Sequence, residues 1–236
     1  MSGGRDRGSV SAPLHGAALT RSLEDRFRTA LVSASAGPLT LEVLKPANSD
    51  DLITEEDFVR DERLPYWADI WPSSLVLASH VRTLHGAGHR LLELGCGLGL
   101  VSTAAVLAGF DVVATDYYDD ALLFAEANVW RNAARPLGTR MVDWRELPPD
   151  LGCFDVVVAS DVLYERLYAT LIADALALTL EPGGVGLIAD PGRIAAPAFV
   201  TECAERGLVV AQPTRVPWAE GSIRQTIDIL RVERRR

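Results

Sequence analysis

A short glycine-rich segment followed by an acidic residue is the part of this sequence best suited to chemistry. Residues 92–99 read Leu-Glu-Leu-Gly-Cys-Gly-Leu-Gly, and Asp116 closes the next apolar run. Glycines at a strand-to-helix turn let the backbone bend sharply and approach a ligand where side chains would collide. A carboxylate after the second strand can accept hydrogen bonds from both hydroxyls of a ribose. The pattern predicts a site for a nucleoside-containing cofactor, the alternative being a glycine-rich turn without a ligand.

The spacing of the glycines narrows the choice of cofactor. A dinucleotide-binding fingerprint reads Gly-x-Gly-x-x-Gly, and its third glycine, counted from Gly95, would fall at Leu100. The glycines here stand at alternate positions after an acidic residue, which resembles motif I of the class I S-adenosylmethionine (SAM) methyltransferases. The resemblance implies SAM as the cofactor, and the candidate contacts from this segment are Glu93, Gly95, Cys96, Gly97 and Gly99.

Two residues after the predicted third strand could hold the adenine of such a cofactor. Asp143 can accept a hydrogen bond from the exocyclic amine, and the Trp144 indole can cover the ring face. Aspartate and tryptophan are each common outside binding sites as well. The alternative is a turn aspartate beside a packed tryptophan.

The end of the predicted fourth strand carries residues suited to holding an amine. In amine-methylating members of the same fold, this position has an acidic or amide residue and an aromatic residue three positions later, and Asp161 and Tyr164 match that pattern. A carboxylate can orient an amine N–H, while an aromatic ring packs against the aliphatic stem or a developing cation. We therefore predict a catalytic pair. The alternative is a helix N-cap Asp161 with Tyr164 in the core.

The elements that must position these residues form a series of strand–helix units. From residue 90 onward, short apolar runs alternate with helical stretches, which predicts a doubly wound, Rossmann-like α/β fold. The final two strands have no helix between them, so the seven-stranded sheet is expected to be mostly parallel with one antiparallel strand. Before it, residues 39–45 alternate like half of a hairpin, and residues 75–84 have helical spacing. The predicted strands are Arg90–Leu94, Asp111–Thr115, Thr139–Val142, Phe154–Ala159, Val185–Ala189, Leu208–Gln212 and Thr226–Val232.

Several of these motifs together resemble one family within the fold. Asp161-x-x-Tyr164, the aromatic segment at residues 65–72 and Asp143-Trp144 are similar to the methyltransferase-like protein-lysine methyltransferases (methyltransferase family 16). The resemblance implies that Trp71 lines the cofactor cleft. It also places the ribose acid at Asp116, the adenine-side tryptophan at Trp144 and the motif I glycines at Gly95 and Gly97. Ser160 stands where family members often carry alanine, a mild departure that keeps it a candidate contact.

Composition excludes several classes of protein. The 236-residue chain has a formal net charge of −9, which gives no electrostatic basis for nucleic-acid binding. The three cysteines and four histidines lack metal-ligand spacing, so we expect no metal site and a reduced, cytoplasmic protein. No apolar run is long enough to suggest a membrane span. Residues 1–36 are expected to be a flexible leader and N-terminal extension, and residues 37–236 the methyltransferase domain.

The sequence thus predicts a monomeric, SAM-dependent N-methyltransferase whose partner is a protein carrying an acceptor lysine. The acidic run at residues 50–62 could attract a basic protein segment, although a solvated acidic face is the commoner explanation. A small-molecule amine methyltransferase would use the same cofactor site and the same Asp161–Tyr164 pair. A third hypothesis is a SAM-binding module that has lost catalysis.

Overall fold

A computed structural model of the chain describes residues 15–52 and 64–234. Its helices are α1 Ala17–Arg26, α2 Pro72–Arg82, α3 Leu100–Ala108, α4 Asp119–Ala133, α5 Arg166–Thr179 and α6 Ala196–Glu205. Its strands are β1 Thr29–Ala36, β2 Leu39–Pro46, β3 Arg90–Leu94, β4 Asp111–Asp116, β5 Gly138–Met141, β6 Phe154–Ser160, β7 Leu180–Asp190, β8 Leu208–Val210, β9 Thr214–Glu220 and β10 Ile223–Arg234.

The main sheet has the predicted architecture. Its strands follow the order β5-β4-β3-β6-β7-β10-β8, with parallel pairing from β5 to β7 and antiparallel pairing of β10 with β7 and β8. Neighbouring residues of β3 face opposite sides, because Leu91 belongs to the apolar cluster under α2, α3 and α4, and Leu92 to the cluster under α5 and α6. The prediction of a doubly wound, mostly parallel sheet with one antiparallel strand is confirmed.

Two parts of the sheet differ from the sequence prediction. The segment before β10 was expected to be a loop, but β9 forms there and pairs with β10. Pro217 within β9 weakens the strand signal, and it is tolerated because β9 is an edge strand. The fifth strand was expected to begin at Val185, yet β7 already begins at Leu180 and so includes residues 181–184. A pairing irregularity between β6 and β7 at Phe154 and Val156 absorbs these residues.

The N-terminal segment forms part of the same core. Residues 39–45 were predicted as half of a hairpin, and β2 pairs there with β1. The free edge of β2 meets α4, where Asn128 accepts from the Leu44 N–H (2.7 Å) and donates to the Leu44 carbonyl (2.9 Å). Leu23 of α1 is fully buried in the core. Residues 17–36, assigned from sequence to a leader and extension, are therefore a helix and a strand packed on the domain.

The crossover of the sheet fixes where a ligand would bind. The chain continues from β3 outward to β4 and β5, then returns to the other side of β3 as β6. In open α/β sheets ligands bind beyond the carboxyl ends of the strands at this switch point. Residues 95–99, Asp116 and Asp161 all lie at those ends. Within the two described ranges, none of the helices combines the length and the apolar character needed to cross a membrane.

Candidate active site

The glycine-rich loop after β3 is held in place by the neighbouring strand. The Cys96 N–H donates to the Thr115 carbonyl (2.9 Å), and the Gly97 N–H donates to Asp116 Oδ2 (2.9 Å). Gly97 has a φ of +49°, and a Cβ there would lie 3.0 Å from the Trp67 carbonyl oxygen. A side chain would therefore be both strained and crowded at this position. The loop keeps its backbone close to the switch point, as the sequence predicted.

Gly99 differs from Gly97 in the group that an added side chain would meet. It precedes α3 with a φ of +74°, and an added Cβ would lie 2.7 Å from the Cβ of Ala125 on α4. This glycine is required for close packing between two helices. Its predicted contact with the cofactor stays a prediction.

Glu93 lies in the core beneath the loop. Its side chain is 1% exposed, and the Ser102 hydroxyl of α3 donates to Oε2. Burial raises the pKa of Glu93 to about 8, so the carboxyl group is largely protonated at neutral pH. In this position Glu93 ties β3 to the helix that follows the loop. The direct contact of Glu93 with the cofactor, which the sequence analysis proposed, stays a prediction.

Asp116 ends β4 and joins the loop to the start of α4. Its carboxylate accepts the N–H groups of Gly97 (2.9 Å) and Tyr118 (3.1 Å). Burial raises the pKa of Asp116, while these backbone hydrogen bonds oppose the shift. Each carboxylate oxygen can accept more than one hydrogen bond, so ribose hydroxyls can be bound without breaking the loop. Asp116 is also the residue that orients Gly97.

Asp143 and Trp144, the two residues predicted to hold adenine, have different surroundings. The Asp143 carboxylate accepts hydrogen bonds from Nε (3.0 Å) and an Nη atom (2.6 Å) of Arg145, two residues further along the chain. The Trp144 ring lies against the loop, since a Cβ on Gly95 would be 3.1 Å from it. The indole Nε1 is buried and finds no hydrogen-bond partner within the described ranges. Their roles toward adenine stay predictions.

Asp161 follows β6 at the other side of the switch point. Its N–H donates to the Ala189 carbonyl of β7 (2.9 Å), and its φ of +59° turns the chain away from the sheet. The alternative that Asp161 caps the next helix is wrong, because α5 begins at Arg166 and Glu165 holds the N-cap position. The Asp161 carboxylate instead pairs with Arg193. Ser160, just before it, is partly exposed at the end of β6.

An aromatic row runs beside Asp161. The Tyr164 ring lies 4.3 Å from that of Tyr168 and 6.3 Å from that of Tyr66. Tyr66 in turn contacts Trp71 at 5.9 Å, and Tyr168 contacts Trp144 at 5.9 Å, measured between ring centroids. The row thus connects Trp71 with Trp144, two predicted cofactor contacts, through the predicted catalytic Tyr164. The sequence analysis included Tyr66 in the aromatic segment at residues 65–72 without giving it a role, and it did not single out Tyr168.

The sequence also missed Asp190 and Arg193. Asp190 ends β7, is 1% exposed, and has a buried Oδ2 atom with no partner among the described residues. Its Oδ1 accepts the N–H groups of Gly192 (2.8 Å) and Arg193 (2.6 Å). Burial raises the pKa of Asp190. The signal available in the sequence was an acid immediately after a predicted strand, in Asp-Pro-Gly-Arg, at the same edge of the sheet as Asp161.

Cys96, the last of the predicted cofactor contacts in the loop, is enclosed by protein. Burial raises the pKa of its thiol well above the usual value, and the Sγ atom lies 3.8 Å from the Gly97 carbonyl oxygen. The Cys96 N–H helps to hold the loop in place, and the predicted contact of Cys96 with the cofactor stays a prediction. Most of the acidic run considered for a basic partner, residues 53–62, lies outside the described residues.

The sequence of this chain is similar to those of known methyltransferases. The family model described as lysine methyltransferase matches residues 48–193. The electron transfer flavoprotein beta subunit lysine methyltransferase of Danio rerio is 32% identical over 133 residues, which cover 55% of this chain and 51% of that protein. The ribosomal protein L11 methyltransferase of Thermus thermophilus is 37% identical over 112 residues, covering 48% of this chain and 41% of that protein.

Solved structures share the fold at low sequence identity. The N-methyltransferase NodS from Bradyrhizobium japonicum, in complex with S-adenosylhomocysteine, aligns with a TM-score of 0.56 and 19% identity, covering 78% of this chain and 97% of that chain. The chain spans about half the length of the curated relatives it matches. The family model, in contrast, spans more than half of this chain and includes the loop, Asp116, Asp161 and Arg193. The chain belongs to the lysine methyltransferase family.

Proposed function

We propose that this protein transfers a methyl group from SAM to the side-chain amine of a lysine in another protein. The observation that carries the proposal is the position of Asp161 and Tyr164, which follow β6, the strand paired with the β3 strand that leads into the glycine-rich loop. The curated relatives named above include lysine methyltransferases that act on proteins, which supports the same substrate class.

The residues at the switch point fit SAM. The loop presents backbone close to the cleft, and Asp116 has lone pairs for ribose hydroxyls beyond the two N–H groups that it already accepts. The buried, unpartnered Nε1 of Trp144 is a donor suited to a polar ligand atom. Trp71, whose Nε1 donates to the Tyr66 carbonyl (2.8 Å), has its ring fixed at the opposite end of the aromatic row. The bound cofactor would supply an activated methyl group on a sulfonium.

The acceptor side has to orient a neutral amine toward that methyl group. Asp161 can accept a hydrogen bond from the amine N–H and thereby direct the nitrogen lone pair. Tyr164, between Tyr66 and Tyr168, can pack against the aliphatic stem of the lysine and against the cation that forms on methylation. Tyr66 is 50% exposed, so the aromatic row reaches the protein surface where a macromolecular substrate would bind.

We further propose that the protein acts as a monomer in a reducing, cytoplasmic compartment, with no nucleic-acid partner. The three free cysteines among the described residues support a reducing environment. The net charge of −9 supports a basic protein segment as the partner in preference to a nucleic acid.

The test is methyl transfer to host proteins. Purified protein is incubated with tritium-labelled SAM and a heat-treated host lysate, and labelled bands are identified by mass spectrometry. We expect label on a lysine side chain of one or a few proteins, and we expect the Asp161→Asn variant to give at least about tenfold less label.

Three other results would contradict the proposal in different ways. Label that appears only in the low-mass fraction would indicate a small-molecule amine as the acceptor. SAM binding by calorimetry without transfer to any fraction would indicate a binding module. Absence of SAM binding would contradict the cofactor as well as the reaction.

A further inference from the structure

Asp161 is held by a cation that the proposed transfer does not itself use. The Nε atom of Arg193 (2.6 Å) and one of its Nη atoms both contact the same carboxylate oxygen, Oδ1. The Asp161 side chain is 8% exposed and that of Arg193 is 33% exposed. These guanidinium contacts leave the second oxygen, Oδ2, as the one that an incoming group can approach without displacing Arg193.

Arg193 is itself fixed on two sides. Its backbone N–H is bound by the buried Asp190 carboxylate (2.6 Å), and its guanidinium carbon lies 5.9 Å from the centroid of the Trp71 ring. The planar guanidinium presents its donors in a rigid arrangement, so fixing both ends of the side chain fixes their direction. The backbone of Asp161 is held to β7, because its N–H donates to the carbonyl of Ala189, the residue before Asp190. Both the main chain and the side chain of Asp161 are thus anchored to the end of β7.

We propose that Arg193 is a positioning residue that fixes Oδ1 of Asp161 so that Oδ2 faces the acceptor amine; this inference rests on the methyl transfer proposed above. Without Arg193 the carboxylate could rotate about its side-chain bonds, and the acceptor nitrogen would lose its alignment with the methyl group. The guanidinium also offsets the charge of Asp161, which reduces the preference of the site for a lysine ammonium over the neutral amine that attacks.

The test compares three arginine variants. Arg193→Ala removes the cation, and Arg193→Lys keeps a cation without the fork geometry. Arg206→Ala is the matched control, because Arg206 makes the same 2.6 Å Nε contact with a carboxylate, that of Asp174, between α5 and α6. For each variant we would measure the SAM dissociation constant, the melting temperature, and kcat and KM for the lysate protein that the parent labels.

We expect the Arg193→Ala variant to lose about tenfold or more in kcat, since a displacement of about 1 Å can cost on the order of a hundredfold. Its SAM dissociation constant should stay within about twofold of the parent value, because Arg193 meets the predicted cofactor residues at the Trp71 ring, 5.9 Å away, and not at the glycine-rich loop. Arg193→Lys should recover part of the lost kcat, and Arg206→Ala should keep the parental kcat. A parental kcat in Arg193→Ala, or an equal loss in Arg206→Ala, would overturn the positioning role.

A crystal structure of Arg193→Ala separates this inference from the proposed function. We expect the Asp161 carboxylate to leave the position that it holds in the parent, or to occupy more than one rotamer. A carboxylate that stays in place would overturn the inference whether or not the parent is active. If the parent transfers no label to any acceptor, the proposed function fails, and the displaced carboxylate still reports the dependence of Asp161 on Arg193.

Discussion

The two halves of the candidate site are built in different ways. The cofactor half, at the ends of β3 and β4, is held by backbone hydrogen bonds and buried acids within a short stretch of chain. The acceptor half, at the ends of β6 and β7, is formed by side chains from three distant segments; Tyr66 is exposed, and the others are partly buried. The cofactor half comprises Glu93, residues 95–99 and Asp116, and the acceptor half comprises Tyr66, Asp161, Tyr164 and Arg193.

This difference indicates which half can vary between substrates. A loop whose N–H groups are bound by Asp116 and by the Thr115 carbonyl has little freedom to change without losing its shape. The aromatic and charged groups of the acceptor half contact one another through side chains, so they can be exchanged while the strands stay in place. Mutations should therefore affect either cofactor binding or transfer, and seldom both.

The largest expected effect comes from the acceptor half. Asp161→Asn keeps the size of the side chain and suits the φ of +59°, which asparagine tolerates better than most residues. It loses the charge that pairs with Arg193 and one of the two acceptor oxygens. We expect methyl transfer to fall by about a hundredfold, with SAM affinity and melting temperature close to the parent. Tritium transfer and calorimetry check both parts.

The alanine variant is the weaker test at this position. Asp161→Ala places a residue without a polar side chain in the left-handed region, which costs about 1–2 kcal/mol, so lost activity could reflect lost stability. Parental activity in the asparagine variant would remove Asp161 from the chemistry. It would also remove the main distinction between the two halves.

The next largest effect belongs to the cofactor half. Asp116→Ala removes the proposed ribose acceptor and also frees the Gly97 N–H, each hydrogen bond to a charged group contributing about 1.5–3 kcal/mol. We expect the SAM dissociation constant to rise by at least about tenfold, while KM for the acceptor protein changes little. Asp111→Ala, at the exposed start of the same strand, is the control. Unchanged affinity for SAM would exclude Asp116 as the ribose ligand.

The contrast between the halves also explains what the sequence could predict. The glycine spacing, Glu93 and Asp116 lie within 24 residues of one another, and the strand–helix alternation fixes which end of the sheet they share. Asp161 and Tyr164 could be placed because they follow a strongly apolar strand. Periodicity therefore predicted the fold, and the glycine spacing together with the acid after the next strand predicted the cofactor half.

The acceptor half depends on contacts that no local pattern contains. Tyr66 meets Tyr164 across nearly a hundred residues of chain, and Arg193 reaches Asp161 because β6 and β7 are adjacent. Glu93 was assigned a ligand role from its motif, but only the packing of α3 shows that its side chain meets Ser102. β9 was missed because Pro217 and polar residues obscure the strand pattern.

A smaller effect concerns the stability of the cofactor half as a function of pH. Burial raises the pKa of Glu93 from 4.5 to about 8 in the folded protein. Between these values the folded state keeps a proton that the unfolded state releases, so stability should fall as pH rises from 4.5 to 8. The loss is at most about 1.4 kcal/mol per pH unit. Asp116 and Asp190, whose pKa values are also raised, act in the same direction.

Glu93→Gln isolates the contribution of Glu93. The amide oxygen can still accept from Ser102, but the side chain no longer titrates. We would measure urea unfolding of the parent and the variant at several pH values in the absence of ligand. The free energy of unfolding of the parent, relative to the variant, should decrease as pH rises through this interval. Parallel curves would show that Glu93 is already ionised in the folded protein.

The smallest expected effect lies at the boundary of the two halves. Trp144 contacts Gly95 of the cofactor loop and Tyr168 of the aromatic row. If its indole covers adenine, SAM should quench or shift tryptophan fluorescence, and Trp144→Phe should abolish most of that response while an aromatic face is kept. Trp144→Ala should weaken SAM binding by about two- to tenfold, corresponding to about 0.5–1.5 kcal/mol for an aromatic contact. Trp130→Phe, at a 38% exposed position on α4, is the control and should keep the full response. A full fluorescence response in Trp144→Phe would mean that Trp144 only packs between the end of β3 and α5. Trp144 would then be excluded as a cofactor contact at the boundary of the two halves.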